Sequence, residues 1–160
     1  MYYCYLDTPI GDLLLARDDE GIAVVGFPDG SMRREPEGDW IFNEKPFAET
    51  CRQLAEYFDG QRIEFDIDLK PIGTQFQLKV LDELRRIPYG TTCSYSDIAE
   101  RIGHPKAMRA VGAAIGRNPI AIIIPCHRVI GASGDLTGFG GGLPTKEALL
   151  RLELENSQFN

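Results

Sequence analysis

Pro125-Cys126-His127-Arg128 is the one place in this 160-residue chain where a thiol, an imidazole and a guanidinium stand side by side. An unperturbed cysteine is only a few per cent thiolate near neutral pH. A nucleophilic Cys126 therefore needs a base, which His127 can be, and positive potential, which Arg128 can add. Neighbours in an extended segment point to opposite sides. His127 can meet the Cys126 sulfur only where the chain bends or through a bridging water, and the bridge is the favoured reading. Pro125 holds the residue before it extended, which suits a strand-to-turn switch at this point. The imidazole then needs a third group on its other nitrogen, in triad logic a carboxylate. Glu153 on the final helix is one candidate, and spacing leaves Glu147 and Glu155 open beside it. The competing reading is a buried structural thiol with a satisfied polar neighbour, the usual state of a free cysteine.

The remaining reactive types carry less. Cys4, Cys51 and Cys93 form no CxxC pair, and all four cysteines read as reduced thiols rather than a disulfide framework. Two histidines without paired Cys/His spacing give no structural zinc site, so no metal is expected. Gly138-Phe139-Gly140-Gly141-Gly142 lacks a following Lys-Ser/Thr and is no phosphate loop. It reads as a flexible wall or hinge beside the cysteine.

Composition narrows the classes further. Hydrophobic residues are 43% and charged residues 26%, ordinary values that exclude disorder and collagen-like repeats. The apolar run Ile120–Ile124 is far shorter than the ~20 residues a membrane helix needs, and no secretory signal opens the chain, so a cytoplasmic protein is expected. The net charge of −7 argues against a non-specific polyanion binder, but it is unevenly spread. Residues 1–71 hold seven Lys/Arg against sixteen Asp/Glu, a balance of −9; residues 72–160 hold ten against eight, a balance of +2. Any contact with nucleic acid belongs to the second half.

The elements that must position the cluster follow from periodicity. Tyr2–Leu6, Leu13–Ala16 and Ile22–Phe27 read as strands of an antiparallel meander, and 28–46 as an irregular connection. Phe47, Cys51, Leu54, Ala55 and Phe58 mark one helix face, and Ile63, Phe65, Ile67 and Leu69 a further strand. Thr74 caps a helix that has Phe76, Val80, Leu81, Leu84 and Ile87 inward. Ser94 and Asp97 form a capping box for a short helix Tyr95–Ile102. Pro105 suits the first residue of the next helix, Lys106 to about Gly116. Two short helices joined by a Gly-containing turn make a helix-turn-helix candidate, whose alanine-rich second helix is slim enough to approach a groove. Ile120–Ile124 reads as a buried strand, and Thr145–Glu155 as a last helix with Leu149, Leu150 and Leu152 inward. The expected fold is α+β: a small N-terminal strand-and-helix domain, 1–70, then a mostly helical domain, 71–160.

Ile124-Pro125-Cys126-His127-Arg128-Val129-Ile130 resembles the active-site signature of the O6-alkylguanine-DNA alkyltransferases, the methylated-DNA–protein-cysteine methyltransferases. The likeness continues through Gly73-Thr74-Gln75-Phe76-Gln77, Ile87-Pro88-Tyr89-Gly90, Ser94-Tyr95, Arg109-Ala110-Val111-Gly112 and Asn118-Pro119. It runs on through Gly138-Phe139, Gly141-Gly142-Leu143, Lys146-Glu147 and Glu153, and more weakly through Leu6-Asp7-Thr8-Pro9-Ile10-Gly11. The resemblance implies DNA repair in which Cys126 takes the alkyl group from guanine, once per molecule and without a cofactor. It makes His127 the base acting through a water, Glu153 its orienting group and Asn118 the brace of the active-site turn. Tyr95 would hydrogen-bond the flipped guanine and protonate it. Arg109 would occupy the space that the base leaves, with Lys106, Ala107, Ala110 and Arg128 also at the DNA. The main chain at Cys126 and Val129, the Phe139 ring and the Gly140 amide would contact the base. The implied partner is double-stranded DNA containing O6-alkylguanine, entered from the minor groove by a monomer, with no membrane involved.

Departures from the family pattern also set expectations. The zinc-binding Cys/His residues of some relatives are missing. Leu81 replaces a frequent Trp, and Phe139 a frequent Tyr, removing a hydroxyl near the pocket. The acidic total implies modest DNA affinity with marked salt dependence. A lesion-binding protein without transfer and a thiol hydrolase are the two readings from other classes.

Overall fold

The computed structural model describes residues 1–30, 33–134, 136, 139 and 141–157. Its N-terminal half is built on a meander: β1 (Tyr2–Thr8) pairs antiparallel with β2 (Gly11–Arg17), and β2 with β3 (Ile22–Gly26). A two-residue strand, β4 (Ile41–Phe42), adds in parallel to the other edge of β1, giving the order β3-β2-β1-β4. The stretch 28–46 is thus not wholly irregular. Strand alternation splits β2 between two faces, and β3 is split likewise except that a register shift between Ala16 and Arg17 breaks its alternation at Ala23. Leu13, Leu15, Ile22 and Val25 enter the main core, whereas Leu14, Ala16, Ala23 and Val24 form a small cluster closed by Tyr3 and Trp40.

Helix α1 (Ala48–Phe58) turns inward most of the face its apolar residues suggest, with Leu54 buried and Cys51 and Phe58 packed against the core, and widens it with further residues. Thr50, Gln53, Leu54 and Tyr57 are buried, while Ala55 is exposed. Gln53 extends that face toward the following segment: its Nε2 donates to the Asp66 carbonyl at 3.0 Å and its Oε1 accepts from the Asp66 N–H at 2.9 Å. These two bonds satisfy a backbone that would otherwise need a sheet neighbour. Residues 63–69 are accordingly not the expected strand. Phe65, Ile67 and Leu69 still pack on the core, and only Leu69 bridges to the sheet, at Ile22.

After Pro71, both expected N-caps open helices, and at Thr74 the Gln77 side chain completes a capping box beyond the single cap expected. Thr74 and Gln77 cap α2 (Gln75–Leu84), and Ser94 and Asp97 cap α3 (Tyr95–Arg101). Each cap contributes about 1 kcal/mol. Helix α4 runs Met108–Gly116, not from Lys106. Pro105 and Lys106 instead lie in a turn closed by the Ala107 N–H on the His104 carbonyl at 2.9 Å. A two-residue parallel pair, β5 (Cys93–Ser94) with β6 (Val129–Ile130), ties the start of α3 to the cysteine segment. Helix α5 (Leu143–Ser157) closes the described chain. The main core is continuous from Cys4 to Leu149, across both halves. Among the described residues no helix is long and apolar enough to cross a membrane.

Candidate active site

The cysteine segment is held by a loop rather than by the expected strand over 120–124. Only Ile120 makes a bridge, to Val25 of β3, through Val25 N–H on the Pro119 carbonyl (3.0 Å) and Ala121 N–H on the Val25 carbonyl (2.9 Å). The chain then reverses at Ile122, whose φ of 70° is rare for a β-branched residue and costs about 1–3 kcal/mol. Asn118 clamps this reversal from inside. Its Nδ2 donates to the Ile124 carbonyl at 2.8 Å, and its Oδ1 accepts from the Ile120 N–H at 3.0 Å. The strained turn delivers Cys126-His127-Arg128 as one turn of 3₁₀ helix, so the chain does bend at the cysteine.

All three side chains of that turn are buried. His127 Nε2 lies 2.6 Å from Glu153 Oε2, and Arg128 grips the same carboxylate with Nε (2.7 Å) and Nη2 (3.0 Å). Glu147 and Glu155 are exposed, and Glu147 pairs instead with Arg151 at the surface (2.9 Å). The third group is therefore Glu153. Burial pushes its carboxyl up, but the bonds and charges of His127 and Arg128 together outweigh burial and hold it well below the usual carboxylate range. Burial depresses His127 more than Glu153 raises it, so the imidazole is neutral near pH 7. An ionised Glu153 can only accept, so Nε2 carries the proton and Nδ1 is left with its lone pair. Nδ1 is buried and makes no hydrogen bond within the described protein.

Burial also raises the Cys126 thiol. The Asn118 amide, the Lys146 charge and the backbone N–H groups of Cys126 and His127 act in the opposite direction. The sulfur sits at a pocket lined by Phe27 and Arg34 from the N-terminal half, Tyr95, Gly112, Ile115 and Gly116 from α3 and α4, and Phe139, Gly141 and Lys146. The glycine at 141 is required by contact: a Cβ there would lie 2.5 Å from the Phe27 ring. Phe27 and Phe139 pack at a tilt with 5.3 Å between centroids, and Lys146 sits 5.7 Å from the centroid of the Phe139 ring.

The expected site residues fall into three groups. Cys126, His127, Glu153, Asn118, Tyr95 and Phe139 converge. Lys106, Arg109 and Ala110 are exposed and Ala107 half-buried, and Arg109 stands one turn before Gly112 on the α4 face that walls the pocket. Arg128 is a correction. Expected at DNA, it is turned inward, with its guanidinium spent on Glu153 and on the Ile87 carbonyl (2.7 Å). Val129 is wholly buried, and its carbonyl accepts from Lys146 Nζ at 2.6 Å. Gly138 and Gly140 lie outside the described residues.

Sequence reasoning missed Tyr57 and Lys146. Tyr57 is fully buried and donates its O–H to Glu153 Oε2 at 2.5 Å. Lys146 shares the inward stripe of α5 with Leu149 and Glu153. The available signal was the spacing 146, 149, 153 at i, i+3 and i+7, which places Lys146 on the face already assigned to Glu153.

Comparison with known proteins agrees along the whole chain. Residues 75–155 match the family model described as the DNA binding domain of 6-O-methylguanine DNA methyltransferase, and residues 1–71 the one described as its ribonuclease-like domain. The methylated-DNA–protein-cysteine methyltransferase of Methanosarcina acetivorans is 54% identical, covering 96% of this chain and 98% of its own length. That of Mycolicibacterium paratuberculosis is 50% identical over 97% of this chain and 93% of its own. The crystal structure of Mycobacterium tuberculosis OGT in complex with DNA superposes with a TM-score of 0.92 at 46% identity, covering 98% of this chain and 94% of that one. With both halves matched, and with a buried Cys126–His127–Glu153 group at the pocket, the chain belongs to the 6-O-methylguanine DNA methyltransferase family.

Proposed function

We propose that this protein repairs DNA directly, moving the O6-alkyl group of guanine onto its own Cys126 in a single turnover. The observation that carries the reading is the shared opening: the pocket that holds the Cys126 sulfur is walled by Gly112, Ile115 and Gly116 of α4. Acceptor and duplex-facing helix therefore meet at one mouth. The reacting carbon is buried in stacked DNA, so the nucleotide must be turned out, at a cost of a few kcal/mol. Arg109, exposed one turn along the same face, fills the gap and offsets part of that cost. Lys106, Ala107 and Ala110 lie along the minor groove of the duplex, where contacts to phosphate hold the DNA without reading sequence. One monomer suffices.

In the pocket, Cys126 gives its proton through a bridging water to His127 Nδ1, and Glu153 steadies the imidazolium across the 2.6 Å contact. The thiolate attacks the alkyl carbon from behind as the carbon–oxygen bond breaks. Tyr95 hydrogen-bonds the everted guanine and supplies the proton that neutralises it as it leaves. Phe139 forms the apolar wall, and the main chain at Cys126 and Val129 meets the base edge. The product is a thioether that no group at this site can cleave, so each molecule acts once and needs no cofactor. The test is a titration with a duplex holding one labelled O6-methylguanine. Label on the protein should reach a plateau near one methyl per chain and vanish in Cys126→Ser. Repeated release of label without protein labelling would instead indicate a hydrolase, and binding without transfer a lesion-recognition protein.

A further inference from the structure

We infer that Tyr57 is a positioning residue for alkyl transfer: from α1, in the N-terminal half, its hydroxyl sets how strongly Glu153 supports His127 as the base for Cys126. The inference rests on the alkyl-transfer reading and adds to it a residue from the other half of the molecule.

Five donors converge on the Glu153 carboxylate. Oε1 accepts from Arg128 Nε (2.7 Å) and the Gly90 N–H (3.3 Å); Oε2 accepts from His127 Nε2 (2.6 Å), Arg128 Nη2 (3.0 Å) and Tyr57 O–H (2.5 Å). Tyr57 alone comes from before Pro71, 96 positions from its partner. It bonds the same oxygen as the histidine, so the two compete for one centre of negative charge. A hydrogen bond to a carboxylate stabilises its charged form and weakens its hold on a neighbouring proton. Tyr57 therefore moderates the charge that Glu153 offers to the imidazolium formed when Cys126 loses its proton. Burial, then the Glu153 charge, raises the Tyr57 phenol far above its ordinary range, so it remains a donor throughout the working pH range.

Packing does not require the hydroxyl. The Tyr57 ring is held by Phe58 (5.3 Å), Phe65 (5.6 Å) and Tyr89 (6.2 Å), all contacts that phenylalanine would keep. The other groups facing this network are Arg128 and the Tyr89 ring beside Glu153, Lys146 near His127 and Cys126, and Asn118 at the sulfur.

Removal of the hydroxyl leaves more negative charge facing His127 and favours the imidazolium, which draws the Cys126 proton onto His127 more strongly but raises the pH at which His127 is first free to accept it. A stronger donor at position 57 does the reverse. The experiment measures single-turnover methyl transfer from an O6-methylguanine duplex across pH for the full-length protein, for Tyr57→Phe, and for protein carrying meta-fluorotyrosine at position 57. Alkylation of Cys126 by iodoacetamide, read by peptide mass, is followed in parallel. The acid-side midpoint, at which His127 is freed as a base, should move up by about half a unit in Tyr57→Phe and down with fluorotyrosine, in both assays. Midpoints that coincide in all three proteins, with rate losses that track only lost thermal stability, would overturn the inference. Fluorotyrosine preserves the shape of the ring, so its arm decides the matter even if Tyr57→Phe folds poorly. Wild-type protein that takes up no methyl, while the iodoacetamide profiles of the two altered proteins shift from it as expected, would overturn the alkyl-transfer reading and leave the tuning by Tyr57 standing.

Discussion

The N-terminal half carries an excess of nine negative charges and no reactive cluster, whereas the half after Pro71 carries the cysteine, its base and the exposed Arg109 of α4. In space the division is less sharp. Phe27 and Arg34 line the pocket, Val25 holds the turn before the cysteine, and Tyr57 bonds the glutamate behind the histidine. One half supplies the chemistry and the other the frame that keeps a strained turn in place. A loop with φ of 70° at Ile122 persists only if its surroundings over-determine it, and here a sheet edge on one side and Asn118 on the other do so.

The comparison is broken most severely at the contact between the halves. Glu153→Gln removes the charge that Tyr57, His127 and Arg128 share and leaves Arg128 buried without a counter-ion. A loss of about 3–5 kcal/mol is expected, read by denaturant unfolding. The effect depends on pH in a definite direction. Glu153 is held low in the fold, so its stabilisation is complete above the unfolded value of about 4.3 and is lost as pH falls through and below it. The gap in melting temperature between wild type and Glu153→Gln should therefore narrow on acidification below about pH 4.

Arg109→Ala tests the second half alone. Repair of O6-methylguanine in duplex DNA should slow by about tenfold or more, equivalent to 1.4 kcal/mol, while reaction with the free base barely changes. Equal losses on both substrates would remove Arg109 from the duplex. Gln53→Ala tests the first half alone and should have the smallest effect. Loss of two bonds to Asp66 should cost about 1–2 kcal/mol of stability, with the single-turnover rate unchanged at temperatures where the protein is folded.

Legibility in the sequence followed the range of the interactions. The caps at Thr74 and Ser94 act within a turn of their own helices, and both N-caps, with the Ser94–Asp97 box, were readable. The Cys-His-Arg cluster was readable for the same reason. The third group was not: three glutamates fit the spacing, and the family resemblance, not periodicity, singled out Glu153. Helix α5 defeats the usual rule because its inward stripe is Lys146, Leu149 and Glu153, so a search for apolar periodicity looks past the functional residues. Residues 63–69 alternate like a strand, but a glutamine side chain takes the place of the neighbouring strand, and no local pattern announces that. Arg128 was misplaced because a cation near a DNA-binding helix suggests phosphate, and only the fold reveals the buried carboxylate that claims it.

Intact-protein mass spectrometry after exposure to an excess of O6-methylguanine duplex asks most directly whether Cys126 is an irreversible acceptor. The protein should gain the mass of one methyl group and no more, the gain should map to the peptide containing Cys126, and Cys126→Ser should gain nothing. A polypeptide of unchanged mass from DNA that has nevertheless lost its methyl groups, or a methyl found on any other residue, would contradict the assignment.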